Sequence, residues 1–396
     1  MTAEVLYYDG TWIMDQLLAK RNGQYDQTTL NLMCAHQSAW FTSISSGYDR
    51  TMPQQHYPIR LACDGYPAEA SCLTLDEIFR KRATELWDLQ KPLTFLWSGG
   101  LDSTSALIAL IQTNPSWHRS INVVSTNYSI SSENPKFYQD FLKPYNCVTV
   151  VEGTDLLDRQ FWSSKDLVVT GDCADQLFGF GFVKRLPGPW LTDQTIRDVA
   201  IDQIRGRVWE SVSGKHQWLK QCNMSSTSLD LFHSLPEAQD IFMTWFDDYL
   251  SRSPVPLQDG FDFQWWVAFS MKLQMLRYRA AWMCGDANLV DLKRYQAFFD
   301  CPDFQRWAID HHHEKWPERT ATTYKKPFRD YIYDHTQDLD YYANKTKESS
   351  WQPSLPKGIV PEAIIKYLDS SGVILSDSNP SSDIRLTEQQ LQNIMT

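Results

Sequence analysis

The residues best suited to chemistry fall in two short segments. One is Ser98-Gly99-Gly100-Leu101-Asp102-Ser103-Thr104; the other runs from Thr170-Gly171-Asp172-Cys173-Ala174-Asp175-Gln176 to Leu177-Phe178-Gly179. In the first, two glycines precede a helical stretch. They let backbone N–H groups turn toward an anion, and the helix dipole adds to the pull. This is a phosphate cradle by its physics. It is not the G-x-x-x-x-G-K-[ST] loop, because the spacing is shorter and no Lys follows. Asp102 would repel bound phosphates unless a divalent cation lay between them. Magnesium held by one or two carboxylates plus phosphate oxygens solves that problem. Asp172 and Asp175 in the second segment can face the same crevice and add carboxylates for that ion. The competing readings are a strand-to-helix turn that merely uses Gly-Gly, and acids that only cap a helix.

Both segments follow apolar runs that read as strands. Pro92 to Trp97, Ile121 to Ser125, Val148 to Val151 and Leu167 to Thr170 are short runs without polar alternation, as expected for strands covered on both faces. Helical stretches separate them: one after Ser103, one from Pro135 to Leu142 and one from Thr154 to Phe161. Alternation of this kind predicts right-handed βαβ units, a parallel sheet and an α/β fold. Ligands in such sheets bind outside the carboxyl ends of the strands, where the two segments fall. A further helix is expected from Thr74 to Leu86, with Thr74 and Glu77 as a capping box. After about residue 190 the strand signal fades. Helices are expected over Thr195 to Val212, Leu235 to Leu250 and Phe263 to Met283.

Composition narrows the class. The chain has 396 residues, 37 basic and 48 acidic, for a net charge of −11. That balance argues against sequence-independent binding to nucleic acid or to an anionic membrane. Apolar residues make up 42% and charged residues 21%, as in globular proteins. No apolar stretch approaches the ~20 residues of a membrane span, and the start lacks a secretory signal, so a cytoplasmic protein is expected. The eight cysteines form no C-x-x-C pair, so reduced thiols are expected rather than zinc or disulfides. His311-His312-His313 reads as a solvated helix face, since consecutive helical residues point in different directions. The sixteen tryptophans read as helix-packing anchors.

The two segments also carry a family resemblance. Ser98 to Ser103 resembles the S-G-G-x-D-S loop of ATP pyrophosphatases, which split ATP between its α and β phosphates. Gly171 to Gly179 resembles the G-E-G-A-D-E-L-F-G segment of asparagine synthetases and their relatives, including β-lactam synthetases and lasso-peptide cyclases. Weaker similarity follows: Ala297-Phe-Phe-Asp300 resembles P-F-L-D, and Lys325-Lys-Pro-Phe-Arg329 resembles K-x-x-L-R. The resemblance covers roughly residues 75 to 355 and implies a Rossmann-like sheet of the adenine-nucleotide α-hydrolase kind with a helical C-terminal half. It implies a synthetase domain over 91–360, after a short region 1–90 too small for a glutaminase and before a loosely held tail at 370–396.

By that resemblance, Ser98, Gly99, Gly100, Asp102 and Ser103 hold pyrophosphate, and Asp102 and Asp175 hold Mg2+. The main chain near Trp97, Asn127, Thr170 and Gly171 lines the adenosine of ATP. The catalytic set is Lys347, which stabilises charge on an acyl-adenylate, with Asp172 in the second motif and Lys326 and Arg329 facing the leaving pyrophosphate. Lys345, two positions from Lys347, is a rival for its role. This sequence departs from the pattern at Asp172 and Gln176, where the family has Glu, and at Phe180, where it has Gly. The E-x-R-x-P-F-L-D stretch is not recognisable around Lys293 and Arg294.

The implied activity is an ATP-dependent, AMP-forming amide ligase. It would adenylate a carboxylate, aspartate by resemblance, and pass ammonia or an amine to it, the nitrogen coming free, from the substrate or from a separate amidotransferase subunit. The alternatives are a cyclising amide synthetase, an enzyme of tRNA sulfur transfer or deazapurine nitrile formation, or a decayed synthetase kept as an ATP-binding scaffold.

Overall fold

The computed structural model describes residues 4–7, 66–67, 69, 72–152, 161, 164–179, 199–221, 227–272, 294–318, 324–345 and 366–368. The chain forms two compact units. One is Tyr66–Phe178 with Leu276–Pro361; the other is Met1–Gly65 with Gly179–Met275 and Glu362–Thr396. In the second unit, strand β1 (Glu4–Tyr7) pairs antiparallel with the last strand, β7 (Lys366–Leu368).

The first unit opens with helix α1 (Leu75–Asp88), started by the Thr74–Glu77 capping box that the sequence predicts. Strand β2 (Leu93–Leu96) leads through the Gly-Gly loop into helix α2 (Leu101–Thr113). Strand β3 (Ile121–Thr126) is followed by a π-turn at Ser129–Glu133, the short helix α3 (Pro135–Phe137) and a second π-turn at Tyr138–Leu142. Strands β4 (Val148–Val151) and β5 (Leu167–Thr170) follow, and helix α4 (Ala174–Phe178) ends this stretch.

The chain then enters the second unit. Its described helices are α5 (Ile201–Gln221), α6 (Thr227–His233), α7 (Ala238–Ser251) and α8 (Gly260–Val267). Trp245, Trp265 and Trp266 are fully buried among them, as packing anchors. Gly179 has a positive φ of 77°, and a Cβ there would run into the backbone of Trp265.

Strand β6 (Tyr295–Ala297) returns the chain to the sheet, followed by helices α9 (Pro302–Asp310), α10 (Lys326–Thr336) and α11 (Leu339–Asn344). The five strands are all parallel, in the order β4-β3-β2-β5-β6. This is the expected Rossmann-like α/β sheet. The helical second half needs one correction: β6 is a strand that the sequence reading missed. It is three residues long and carries a Gln, so it makes no apolar run. Val168, Val169 and Thr170 of β5 place it, in register with Tyr295, Gln296 and Ala297.

The order reverses between β2 and β5, so a crevice opens at their carboxyl ends. Both strands are buried on both faces. On one side Phe79 of α1 sits among Phe298, Phe299, Phe304, Phe328 and Tyr331. Fully burying one such ring stabilises by roughly 1.5–3 kcal/mol, so this cluster fixes α10 and the segment after β6 against α1. No helix among the described residues is long and apolar enough to cross a membrane.

Candidate functional site

The first loop leaves β2 at Leu96 and turns at Gly99, whose φ of +74° lies in the left-handed region where glycine is strongly favoured. A Cβ there would stand 2.6 Å from Cβ of Glu133 and 3.0 Å from the Ser129 carbonyl. Gly100 is the N-cap of α2, and no side chain caps this helix. A helix start without a side-chain cap leaves first-turn amides that an anion can use. Within the loop, the Ser98 and Ser103 hydroxyls lie 2.9 Å apart and the Ser98 N–H donates to Ser103 Oγ at 3.1 Å. Both hydroxyls are thus set inside the turn.

The second loop leaves the adjacent strand β5. A Cβ on Gly171 would fall 2.7 Å from the Ser103 nitrogen, so the two loops are in direct contact. Thr170 donates its hydroxyl to Asp172 Oδ2 at 3.1 Å, which turns that carboxylate back onto its own strand end. Cys173 is buried and has a φ of 75°. It stands at the second Gly of the segment that the sequence resembles, which accounts for a left-handed residue there.

Asp102 and Asp175 converge, as expected, but on a lysine. The Nζ of Lys325 pairs with Oδ1 of Asp102 and lies 2.6 Å from Oδ1 of Asp175. The Lys325 side chain is 2% exposed, against 25% and 23% for the two carboxylates. Burial pulls its ammonium toward neutrality, yet the Asp102 and Asp175 charges outweigh that and hold its pKa above the ordinary lysine value. The Tyr324 hydroxyl donates to the same Asp175 oxygen at 2.9 Å. Lys325 has a φ of 55° and is the N-cap of α10, one residue before Lys326 and Pro327.

The same geometry tests whether magnesium fits. Two acid oxygens directed at one cation match the donor set of a magnesium that takes its remaining ligands from phosphate and water. Among the described residues, no group of three or more His, Cys, Asp or Glu side chains could hold a metal by itself. A magnesium here would be held by Asp102 and Asp175 alone among these side chains and would share their oxygens with Lys325.

Other expected residues lie elsewhere. Lys326 pairs with Asp330 on the exposed face of α10, at 2.6 Å. Arg329 is buried and gives its donors to three main-chain carbonyls: Tyr324 at 3.2 Å, Tyr342 at 2.6 Å and Lys345 at 2.5 Å. Neither lies at the Asp102–Asp175 position; Lys325 does, and it stands at the K of the K-x-x-L-R spacing, four residues before Arg329. Trp97 is fully buried; its indole donates to Thr104 at 3.1 Å, its N–H to Val124 and its carbonyl accepts from Ser125. It braces the loop from below. Asn127 is exposed just after β3, and its carbonyl accepts from the Ser131 hydroxyl. Lys347 lies outside the described residues, as do Phe180, Lys293, the helix expected from Thr154 to Phe161 apart from Phe161 itself, and the tail from 370.

Lys345 is described. Its Nζ pairs with the buried Glu133 carboxylate beside Gly99. Tyr341, on the same helix end, donates its hydroxyl to the Gly99 carbonyl at 2.9 Å. Burial pushes the Tyr341 phenol well above its usual range, so it remains a donor. Sequence reasoning missed Glu133, Tyr341 and Tyr324, none of which is itself part of a motif.

In sequence comparison, no protein-family model and no curated protein matches this chain.

Proposed function

We propose that this chain is an ATP-dependent amide ligase that forms an acyl-adenylate and releases pyrophosphate. One observation carries the reading: Asp102 and Asp175, in the first turns of the helices that follow adjacent strands, converge on a single cation position at the start of α2, where no side chain caps the helix. A triphosphate laid across that terminus would bring its negative charge to the amides and to the cation position together. A substrate carboxylate attacks the α-phosphate, the bond to the β-phosphate breaks, and pyrophosphate leaves. Ammonia or an amine then displaces AMP to give the amide. Asp102 and Asp175 would hold magnesium, which would supply positive charge against the phosphates. Lys325, released from one carboxylate, then faces the pyrophosphate, and Lys345 supplies a second positive charge at the loop. Chemistry of this kind depends on positioned charge more than on covalent help from the protein.

The test is pyrophosphate release with ATP, magnesium and panels of carboxylates, aspartate first. Release that depends on a carboxylate and is lost in Asp102→Ala supports the reading. Tight ATP binding without release for any acid would favour the scaffold alternative, and unchanged activity in Asp102→Ala would remove the site assignment.

A further inference from the structure

We propose that Glu133 is a positioning residue that fixes the Lys345 ammonium against the phosphate loop. The inference rests on the ligase reading above. Glu133 ends the π-turn after β3 and is 5% exposed. Its carboxylate pairs with Lys345 Nζ, which also lies 3.3 Å from the Glu133 carbonyl. The same residue abuts Gly99, since its Cβ fills the space that a Cβ on Gly99 would need. One side chain thus presses on the loop and holds the lysine beside it.

Lys345 is fixed at both ends. Its carbonyl accepts from Arg329 at 2.5 Å, and its amide donates to the Tyr341 carbonyl at 3.1 Å. Tyr341 in turn grips the Gly99 carbonyl. A lysine on a four-carbon stem is otherwise a poorly placed point charge. A buried ion pair is a weak way to gain stability, because desolvation of both charges offsets their attraction. Its placement at the tightest turn of the loop is accounted for by what it does to charge position. An ammonium fixed in advance stabilises negative charge on phosphate without reorganising during the step.

The test compares Glu133→Gln, Glu133→Asp, Lys345→Met and the Glu133→Gln/Lys345→Met double variant, all as full-length protein. Pyrophosphate release per folded molecule should fall at least tenfold in Glu133→Gln with KM for ATP within about threefold, and Glu133→Asp should recover part of it. The double variant should lose no more turnover than Lys345→Met, because Glu133 acts through Lys345. Multiplying losses in the double variant, or unchanged turnover in Glu133→Gln, would overturn the proposal. Amide exchange of residues 99–103 without ligand reads the latch even if the protein ligates nothing. Equal acceleration in both single variants, with no further gain in the double, supports it; unchanged exchange overturns it.

Discussion

The ammonium of Lys325 lies 2.6 Å from Oδ1 of Asp175. Asp102 shares it, so one buried lysine pairs with two carboxylates from the first turns of α2 and α4. Lys325→Met should strip both acids of this shared ion pair. Removing one member of a buried pair typically costs 3–5 kcal/mol, and we expect about 3 here because the acids are partly solvated. Added magnesium, without nucleotide, should recover much of that loss in Lys325→Met and little in the parent. Thermal melting with and without the ion measures this, and an identical response in both proteins would refute the exchange of lysine for metal.

Glycine substitutions separate loop geometry from general stability. Gly99→Ala and Gly171→Ala each place a methyl group within 2.7 Å of neighbouring atoms. Each should lose about 2 kcal/mol or more and abolish pyrophosphate release. Gly206→Ala in α5 meets nothing within 4 Å. It should stabilise by about 0.5–1 kcal/mol with activity intact. Denaturant titration alongside the release assay distinguishes the two classes.

Lys326 and Arg329 share a helix but not a role. Lys326→Ala breaks an exposed i,i+4 pair worth roughly 0.3–0.5 kcal/mol and should leave release unchanged. Arg329→Met strands three main-chain carbonyls, of which that of Tyr324 is buried, and should destabilise by about 3 kcal/mol. If Lys326→Ala abolished release while Arg329→Met folded normally, their assignments would have to be exchanged.

In the second unit, the His233 ring stacks on His216 at 4.0 Å and on Trp209 at 5.3 Å. Burial, reinforced by His216 and opposed by Asp230, drives its pKa down to about 3. The folded chain therefore binds a proton at His233 later than the unfolded chain does. Stability should fall by up to about 1.4 kcal/mol per pH unit as pH drops below the unfolded value near 6.5. His233→Phe keeps the stack and should flatten the slope between about pH 6.5 and 5, as read by denaturant midpoints. Equal slopes in both proteins would contradict a depressed His233.

How much of this was legible in the sequence differs by residue. Four strands were readable because each is a short β-branched or apolar run, although the edge strand β4 is exposed at Thr149 and Val150; Val148–Val151 and Leu167–Thr170 match residue for residue. Tyr295–Ala297 was not, because its pairing with β5 is a long-range event that three mixed residues do not announce. Asp102 and Asp175 were readable from their place after strands. Lys325 stood at the K of K-x-x-L-R, but its burial was not legible, because a lysine before Lys-Pro looks like any solvated helix start until the packing of α10 buries it. Arg329 was misplaced because motif spacing names a residue without saying which way it faces. Glu133 carries no pattern, and only the fold brings it to Gly99.

The division of the sheet unit into two stretches has a consequence for synthesis. Asp102 and Asp175 precede the intervening segment 179–275, whereas Lys325, Tyr341 and Lys345 follow it. A chain emerging from the ribosome exposes its two acids long before their counter-ion is made, and chains fold from the N-terminal end first. A chain truncated before Lys325 would therefore carry Asp102 and Asp175 without the lysine that they share.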